Sequence, residues 1–169
     1  TLEPNRISSS FVKKSALEAP SGDGTGCAFS PDGTYLAVSH YSSPYITVYK
    51  RDGNSFTKLP ALEALPDTGC DCAFSPDGTY LAVAHLGSPR ITVYKRDGDS
   101  FTKLSALAAL PSDGRGCAFS PDGTYLAVAH VGSPRITVYK RDGDSFTKLS
   151  GIAALPRYGY GCAFSPDGT

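Results

Sequence analysis

The sequence predicts an all-β fold built from repeated four-stranded sheets, and three observations carry this prediction. The string Cys-Ala-Phe-Ser-Pro-Asp-Gly-Thr begins at residues 27, 72, 117 and 162, so the chain repeats itself every 45 residues. Each repeat holds four short runs of strand-forming residues separated by turn sequences. No segment is long and periodic enough to indicate a helix. A period of about 40–45 residues is typical of one four-stranded sheet per repeat.

The first two strands of a repeat are predicted on either side of a tight turn. In the repeat that starts at Cys72, strand A covers residues 72–75 and strand B covers residues 80–85. Between them, Pro76-Asp-Gly78 supplies the fixed φ, the local hydrogen bond and the positive φ that such a turn needs. We therefore expect an antiparallel hairpin here.

The third and fourth strands follow in the same way. After a Gly-Ser-Pro sequence that interrupts pairing, residues 91–95 alternate as expected for strand C. The dipeptide Asp97-Gly98 is favoured in two-residue hairpins and leads into strand D over 100–104. Residues 106–110 could begin a helix, but Pro111 ends the run, so this segment is the predicted connection to the next repeat.

Sheets of this kind bury both faces by packing on their neighbours, and radial stacking into a β-propeller achieves this. A β-solenoid is the alternative, but its coils are usually shorter and lack this hairpin chemistry. A non-repeat leader at 1–9 precedes the repeat region at 10–169, which contains a strand D at 10–14, three complete blades and a final strand A at 162–165. Propellers close with about four to eight blades, so closure needs further blades of the same chain or several copies associated head-to-tail into a ring.

The sequence from Ala73 to His85 (Ala-Phe-Ser-Pro-Asp-Gly-Thr-Tyr-Leu-Ala-Val-Ala-His), followed by Ile-Thr-Val-Tyr-Lys, resembles the WD40 repeat and the related YVTN and lactonase-like bacterial propellers. The resemblance covers the chain from about residue 10 onward. The chain departs from WD40 in that Tyr49, Tyr94 and Tyr139 stand where that family has Trp. Blades this similar to one another also resemble recently amplified propellers of bacteria and phages, or a designed consensus protein.

Composition narrows the range of partners and compartments. The formal net charge is zero, with 16 basic and 16 acidic residues, so no nucleic-acid partner is predicted. No apolar run is long enough for a membrane span, and no signal peptide is visible. Unpaired cysteines favour the cytoplasm. Four of the five are predicted to be small buried residues of strand A, and the fifth an incidental loop thiol: Cys27, Cys72, Cys117, Cys162 and, in the loop, Cys70.

The sequence predicts no cofactor, no metal site and no enzyme. His40, His85 and His130 recur once per repeat, as expected for a structural hydrogen-bonding group. Asp97-Gly-Asp99 is interpreted as a tight turn, because the Glu that completes a calcium loop does not follow. An enzyme needs an asymmetric set of residues, and a near-perfect repeat offers little asymmetry.

Differences between the copies concentrate in the B–C and D–A loops, which share one rim of a propeller. Tyr and Arg are enriched at binding hot spots, although loops also tolerate sequence drift. The main prediction is a non-catalytic module for binding a protein or glycan and for assembly. The alternatives are a building block of a filament, virion or cell surface, and a fragment of a lactonase-like enzyme. The candidate contact residues are Tyr41, Tyr45, Arg90, Arg115, Arg135, Arg157, Tyr158 and Tyr160.

Overall fold

The computed structural model describes residues 17–168, which form twelve β-strands in three sheets and no helix. The predicted leader at 1–9 and the first strand D at 10–14 lie outside the described residues. The strands are β1 (Gly24–Phe29), β2 (Tyr35–His40), β3 (Ile46–Asp52), β4 (Ser55–Lys58), β5 (Gly69–Phe74), β6 (Tyr80–His85), β7 (Ile91–Asp97), β8 (Ser100–Lys103), β9 (Gly114–Phe119), β10 (Tyr125–His130), β11 (Ile136–Asp142) and β12 (Ser145–Lys148).

Each sheet is an antiparallel meander whose four strands follow in sequence order. The strands correspond to the predicted strands A to D, so each sheet is one blade. Blade 1 is β1–β4, blade 2 is β5–β8 and blade 3 is β9–β12. The first strands of the blades contact one another and form the inner wall nearest the propeller axis. The prediction of an all-β propeller segment with three complete blades is confirmed.

Some strand ends differ from the prediction for identifiable reasons. β5 begins at Gly69, before the predicted start, because Gly69 still pairs with His85 across an irregularity in the register. β7 continues to Asp97, since this residue pairs with Ser100 across the turn. The predicted strand at 162–165 does not form, because no second strand follows it within the described residues.

Blades pack through two apolar clusters, one at each junction between neighbouring sheets. Between blades 1 and 2, Ala37 and Val48 share a cluster with Leu81 and Val83. The outer face of blade 1 lacks such a neighbour within residues 17–168, and Phe29 on it is 54% exposed. Within these residues, blade 1 therefore presents an apolar face that no other sheet covers.

A group of polar contacts joins neighbouring blades at each junction. The Tyr35 hydroxyl donates to the Gly98 carbonyl at 3.0 Å and to Asp99 Oδ1 at 2.5 Å. Lys50 pairs with the same carboxylate at 2.7 Å, and the Arg96 guanidinium lies 5.0 Å from the centre of the Tyr35 ring. The junction between blades 2 and 3 repeats these contacts through Tyr80, Gly143, Asp144, Lys95 and Arg141.

Inside each blade, a buried histidine joins the second strand to the third. His85 Nε2 is hydrogen-bonded to Thr92 Oγ1 at 2.9 Å, and His40 and His130 make the same contact in their blades. Burial disfavours the charged imidazolium and lowers the pKa of His85 to about 4. The structure thus gives these residues the hydrogen-bonding role expected from their repetition.

A candidate functional site at the mouth of the channel

One position on the inner strand of each blade carries a different side chain in every repeat. Thr25, Cys70 and Arg115 occupy it on β1, β5 and β9, and Tyr160 stands at the equivalent place after blade 3. These four residues, called here the mouth row, line one cavity of about 170 Å³. Tyr41, Thr68 and Leu86 complete its wall.

A β-bulge places the mouth row in the channel. On β5, Gly69 pairs with His85 and Asp71 with Ala84, so Cys70 is the extra residue without a partner across the ladder. The register shifts at the same place on β1 and β9, which leaves Thr25 and Arg115 as the extra residues there. Bulges re-aim side chains out of a regular ladder. Each blade therefore directs one side chain into the cavity.

The residue before the bulge in blades 2 and 3 must be glycine because another backbone lies against it. A Cβ at Gly69 would run into the carbonyl oxygen of Tyr45, in the B–C loop of the preceding blade. A Cβ at Gly114 would meet the carbonyl oxygen of Arg90 in the same way. This close approach fixes the start of each inner strand against its neighbour.

The residues after the mouth row form a second layer, called here the glycine row: Gly26, Asp71, Gly116 and Gly161. The inner strands approach closely in this layer, since a Cβ on Gly116 would lie 2.7 Å from the Gly161 Cα. A Cβ on Gly26 would lie 3.1 Å from the Asp71 Cα. Asp71 is thus the one member of the row with a side chain.

Arg115 lines the cavity, and the half-buried Asp71 follows Cys70 on β5 in the layer below. Arg115 Nη2 donates to Asp113 Oδ2 at 3.1 Å, while Arg115 Nε is buried and has no hydrogen-bond partner. Asp71 Oδ2 accepts the backbone N–H of Cys117 on β9 at 3.0 Å. Burial raises the pKa of the Asp71 carboxyl, and it also raises the pKa of the Cys70 thiol.

The structure brings three of the eight sequence-predicted contact residues to this mouth. Tyr41, Arg115 and Tyr160 share the cavity, although they come from the rim of different blades. Arg135, Arg157 and Tyr158 instead line a second depression, which also reaches Tyr160. The Arg135 guanidinium lies 5.5 Å from the centre of the Tyr158 ring.

Tyr45 and Arg90 join neither group. Both have positive φ, 69° and 73°, at the end of the B–C turn, directly after a cis Ser–Pro bond. Arg90 turns back to its own blade, where Nη1 donates to the Leu110 carbonyl at 3.2 Å. The predicted contact face is therefore divided into separate parts.

Three residues of the inner strands were not among the contact residues predicted from the sequence: Thr25, Cys70 and Asp71. The sequence predicted that Cys70 is a loop thiol. In the structure it is instead the bulge residue of β5 and part of the cavity wall. The expectation that the repeat lacks singular residues was also wrong, because the mouth row and Asp71 differ from blade to blade. The sequence signal for the mouth row lies two positions before each recurring Cys. The four aligned repeats differ there, with Thr25, Cys70, Arg115 and Tyr160.

Comparison with known families decides the affiliation of the chain. Residues 66–154 match the family described as "Lactonase, 7-bladed beta-propeller". The match covers more than half of the chain. This chain belongs to the lactonase propeller family. The propeller part of the resemblance noted from the sequence is thereby confirmed, and among the propellers it named the match is to the lactonase family.

Solved structures with a similar fold include two candidate 6-phosphogluconolactonases and a hydrazine synthase. A candidate 6-phosphogluconolactonase from Bacteroides uniformis is 17% identical, with a TM-score of 0.73 over 86% of this chain and 45% of that one. A candidate 6-phosphogluconolactonase from Bacteroides fragilis is 18% identical, with a TM-score of 0.66 over 80% and 40%. Kuenenia stuttgartiensis hydrazine synthase is 22% identical, with a TM-score of 0.68 over 94% and 44%.

These likenesses show the fold, since a shared fold does not by itself carry a shared activity. The lactonase propeller segment spans less than half the length of each of these three structures. No curated protein sequence matches it. Across residues 17–168, the structure has no helix with the length and apolar character needed to cross a membrane.

The prediction that the chain is not an enzyme is wrong. The lactonase family match and the named 6-phosphogluconolactonase candidates point to an enzyme. The physical reason for the error is the mouth of the channel. Near-identical blades conceal a small set of residues there that differ from repeat to repeat.

Proposed function

We propose that this lactonase propeller segment contributes to a hydrolase that opens a cyclic ester at the mouth of the channel. The observation that carries the proposal is the mouth row, four different side chains converging in one cavity of an otherwise repetitive lactonase-family propeller. Ester hydrolysis requires a donor that stabilises negative charge on the carbonyl oxygen and a surface that holds the ring.

Arg115 supplies the donor. Its contact with Asp113 holds the guanidinium in place through one nitrogen, while the buried Nε retains an unused N–H. A guanidinium in a partly dehydrated cavity stabilises developing negative charge more strongly than it does in water. In this proposal, Arg115 binds the lactone carbonyl oxygen and the oxyanion that forms from it.

The ring of the substrate packs against the other walls of the same cavity. Tyr41 and Tyr160 present aromatic faces there, and Leu86 adds apolar surface. Tyr side chains offer an apolar ring and a hydroxyl donor together, which suits a ring that carries both carbon and oxygen atoms. The cavity thus offers both polar and apolar contacts.

The first test compares two arginine variants of the complete protein. We expect Arg115→Gln to lower kcat/KM for δ-valerolactone and D-glucono-δ-lactone by about 10²–10³-fold, because it removes the charge at the carbonyl oxygen. Arg90→Gln is the matched control, since Arg90 turns back to the Leu110 carbonyl, and its rate should stay within about threefold. Titration of the released acid measures both. Equal rates for the two variants, or no lactone opening by the unaltered protein, would contradict the proposal.

Binding of a protein or glycan at the rim is a second candidate function. Tyr158 and Tyr160 are 61% and 67% exposed, and Arg157 beside them is exposed as well. Exposed aromatic and Arg side chains of this kind are typical of contact surfaces. Replacing these three residues by Ser should abolish binding of a partner recovered with the intact protein, as measured by titration calorimetry.

A further inference from the structure

The second depression lies on the rim, beside the loop that follows blade 3. Its volume is about 830 Å³, within the range of about 300–1,000 Å³ that small-molecule sites occupy. Two basic side chains, two tyrosines and one proline line it: Arg135, Arg157, Tyr158, Tyr160 and Pro156. The mouth cavity is separate and shares only Tyr160 with it.

The D–A loop that forms this depression reverses the charge found in the two other D–A loops. At the aligned positions, the loop after blade 1 carries Asp67-Thr68, the loop after blade 2 carries Ser112-Asp113, and the loop after blade 3 carries Arg157-Tyr158. In the earlier loops the carboxylates serve the fold, since Asp67 accepts the Thr68 N–H and Asp113 pairs with Arg115. The third loop thus replaces an acidic residue by a cation and an aromatic ring.

The two guanidinium groups of the depression are not neutralised by the protein. Arg135 Nη1 donates to the Val131 carbonyl at 2.9 Å, and the guanidinium lies 5.5 Å from the centre of the Tyr158 ring. Neither Arg135 nor Arg157 takes part in an ion pair within residues 17–168. No Asp or Glu is among the residues that line the depression. A concave surface with two uncompensated positive charges attracts an anion.

The tyrosines give the anion site a second kind of surface. Tyr158 and Tyr160 are 61% and 67% exposed, so much of each ring is open to a ligand. The C–H groups of a sugar ring carry partial positive charge and pack on the negative face of an aromatic ring, while its hydroxyls bond to water and to the Tyr hydroxyl. Pro156 is the only aliphatic residue of the lining, whereas the centre of a protein–protein contact is more apolar. These features favour a sugar over a protein segment.

We infer that the second depression binds an acidic glycan. A uronate carboxylate pairs with the guanidinium groups of Arg157 and Arg135, and the sugar rings pack on Tyr158 and Tyr160. A guanidinium presents two parallel N–H groups to a carboxylate, which fixes the orientation of the bound ring. This inference rests on rim binding, the second candidate function above, and names the chemistry of its partner. It does not depend on lactone hydrolysis at the channel mouth.

The first experiment titrates three probes into the full chain at low salt and measures heat. The probes are trigalacturonate, which has acidic sugar rings, maltotriose, which has neutral ones, and a tri-glutamate peptide, which has carboxylates without sugar rings. We expect trigalacturonate to bind with a Kd below about 1 mM and the other two at least about tenfold more weakly. Added salt should weaken the binding of trigalacturonate.

Variants of the exposed loop locate the bound probe. Arg157→Gln should weaken trigalacturonate binding by about tenfold, because it removes a charged donor, and Tyr158→Ser should weaken it by about three- to tenfold. Arg90→Gln is the matched control. Arg90 stands at the position of Arg135 in blade 2 but turns back to the Leu110 carbonyl, so its variant should bind within about twofold of the unaltered protein.

Each other outcome contradicts a stated part of the inference. If tri-glutamate bound as tightly as trigalacturonate, the site would be one for acidic peptides, and equal binding of maltotriose would exclude a role for the arginines. Equal weakening by Arg157→Gln and Arg90→Gln would show unspecific attraction by charge. Failure of trigalacturonate to bind, while a partner is still recovered through the rim, overturns this inference alone. Failure of both overturns rim binding as well, and the lactone assay tests the mouth separately.

Discussion

At the scale of single residues, the channel mouth depends on one extra residue per inner strand. The bulges at Thr25, Cys70 and Arg115 interrupt ladders that are otherwise identical, and they aim these side chains at a common cavity. The glycines before the bulges of blades 2 and 3, Gly69 and Gly114, are required by a carbonyl of the preceding blade. Variation can therefore accumulate in the mouth row while the blade around it stays constant.

The buried histidines predict how stability depends on pH. The pKa of His85 is about 4 when folded and near 6.5 when exposed, so the unfolded state binds more protons between these values and unfolding is favoured as pH falls through this range. The contribution of His85 to the free energy of unfolding should be constant above about pH 7 and fall by about 2 kcal/mol by pH 5.

Urea unfolding at pH 7.5 and pH 5 measures this loss, with His85→Gln as the comparison. Gln cannot titrate in this range, so the variant should lose less free energy between the two pH values than the unaltered protein. The carboxyls of Asp32, Asp77 and Asp122 have pKa values of about 2 and contribute mainly below this window. An equal loss in both proteins would show that His85 does not carry the effect.

At the scale of the element, blades are joined by one tyrosine that contacts the next blade through three kinds of interaction. The ring of Tyr80 packs edge-on against Phe146 and under Arg141, and its hydroxyl reaches Gly143 and Asp144. The Lys95–Asp144 pair at this contact is about half exposed, so it adds little on its own. The buried ring and its hydroxyl hydrogen bonds account for most of this polar junction.

Tyr80→Phe tests that junction. The variant keeps the ring and removes the hydrogen bonds to Gly143 and Asp144, so we expect a loss of about 1–2 kcal/mol in the free energy of unfolding. Tyr41→Phe is the control, because the Tyr41 side chain is 61% exposed, and it should change stability by less than about 0.5 kcal/mol. Chemical denaturation measures both. If Tyr80→Phe were as stable as the control, the hydrogen bonds of the Tyr80 hydroxyl would not contribute to the free energy of unfolding.

Turn sequences explain why the strands were largely predictable, and the bulge explains what was missed. The second strand of each blade, such as β6 at Tyr80–His85, was predicted with its correct bounds because a Pro-Asp-Gly turn precedes it. The inner strand was predicted too short, because Gly69 and Cys70 break the alternation that identifies a strand. The site was missed for the same reason, since these loop-like residues belong to the sheet.

At the scale of the whole molecule, the described residues form three blades, and the family to which the chain belongs is described as a seven-bladed propeller. The exposed Phe29 face of blade 1 is suited to another sheet of the same pattern, because the corresponding Phe74 and Phe119 are covered where a blade precedes them. Further blades of the same polypeptide, or a second copy, remain the predicted cover. Mass measurements under denaturing and native conditions distinguish the two.

The measurement that tests the account most directly is a crystal structure of the complete protein with D-gluconate, the hydroxy acid that lactone opening would release. The account predicts gluconate at the channel mouth, with its carboxylate within about 3 Å of the Arg115 guanidinium. Gluconate bound at a different place, or a mouth that stays empty at saturating gluconate while another site is occupied, would contradict it.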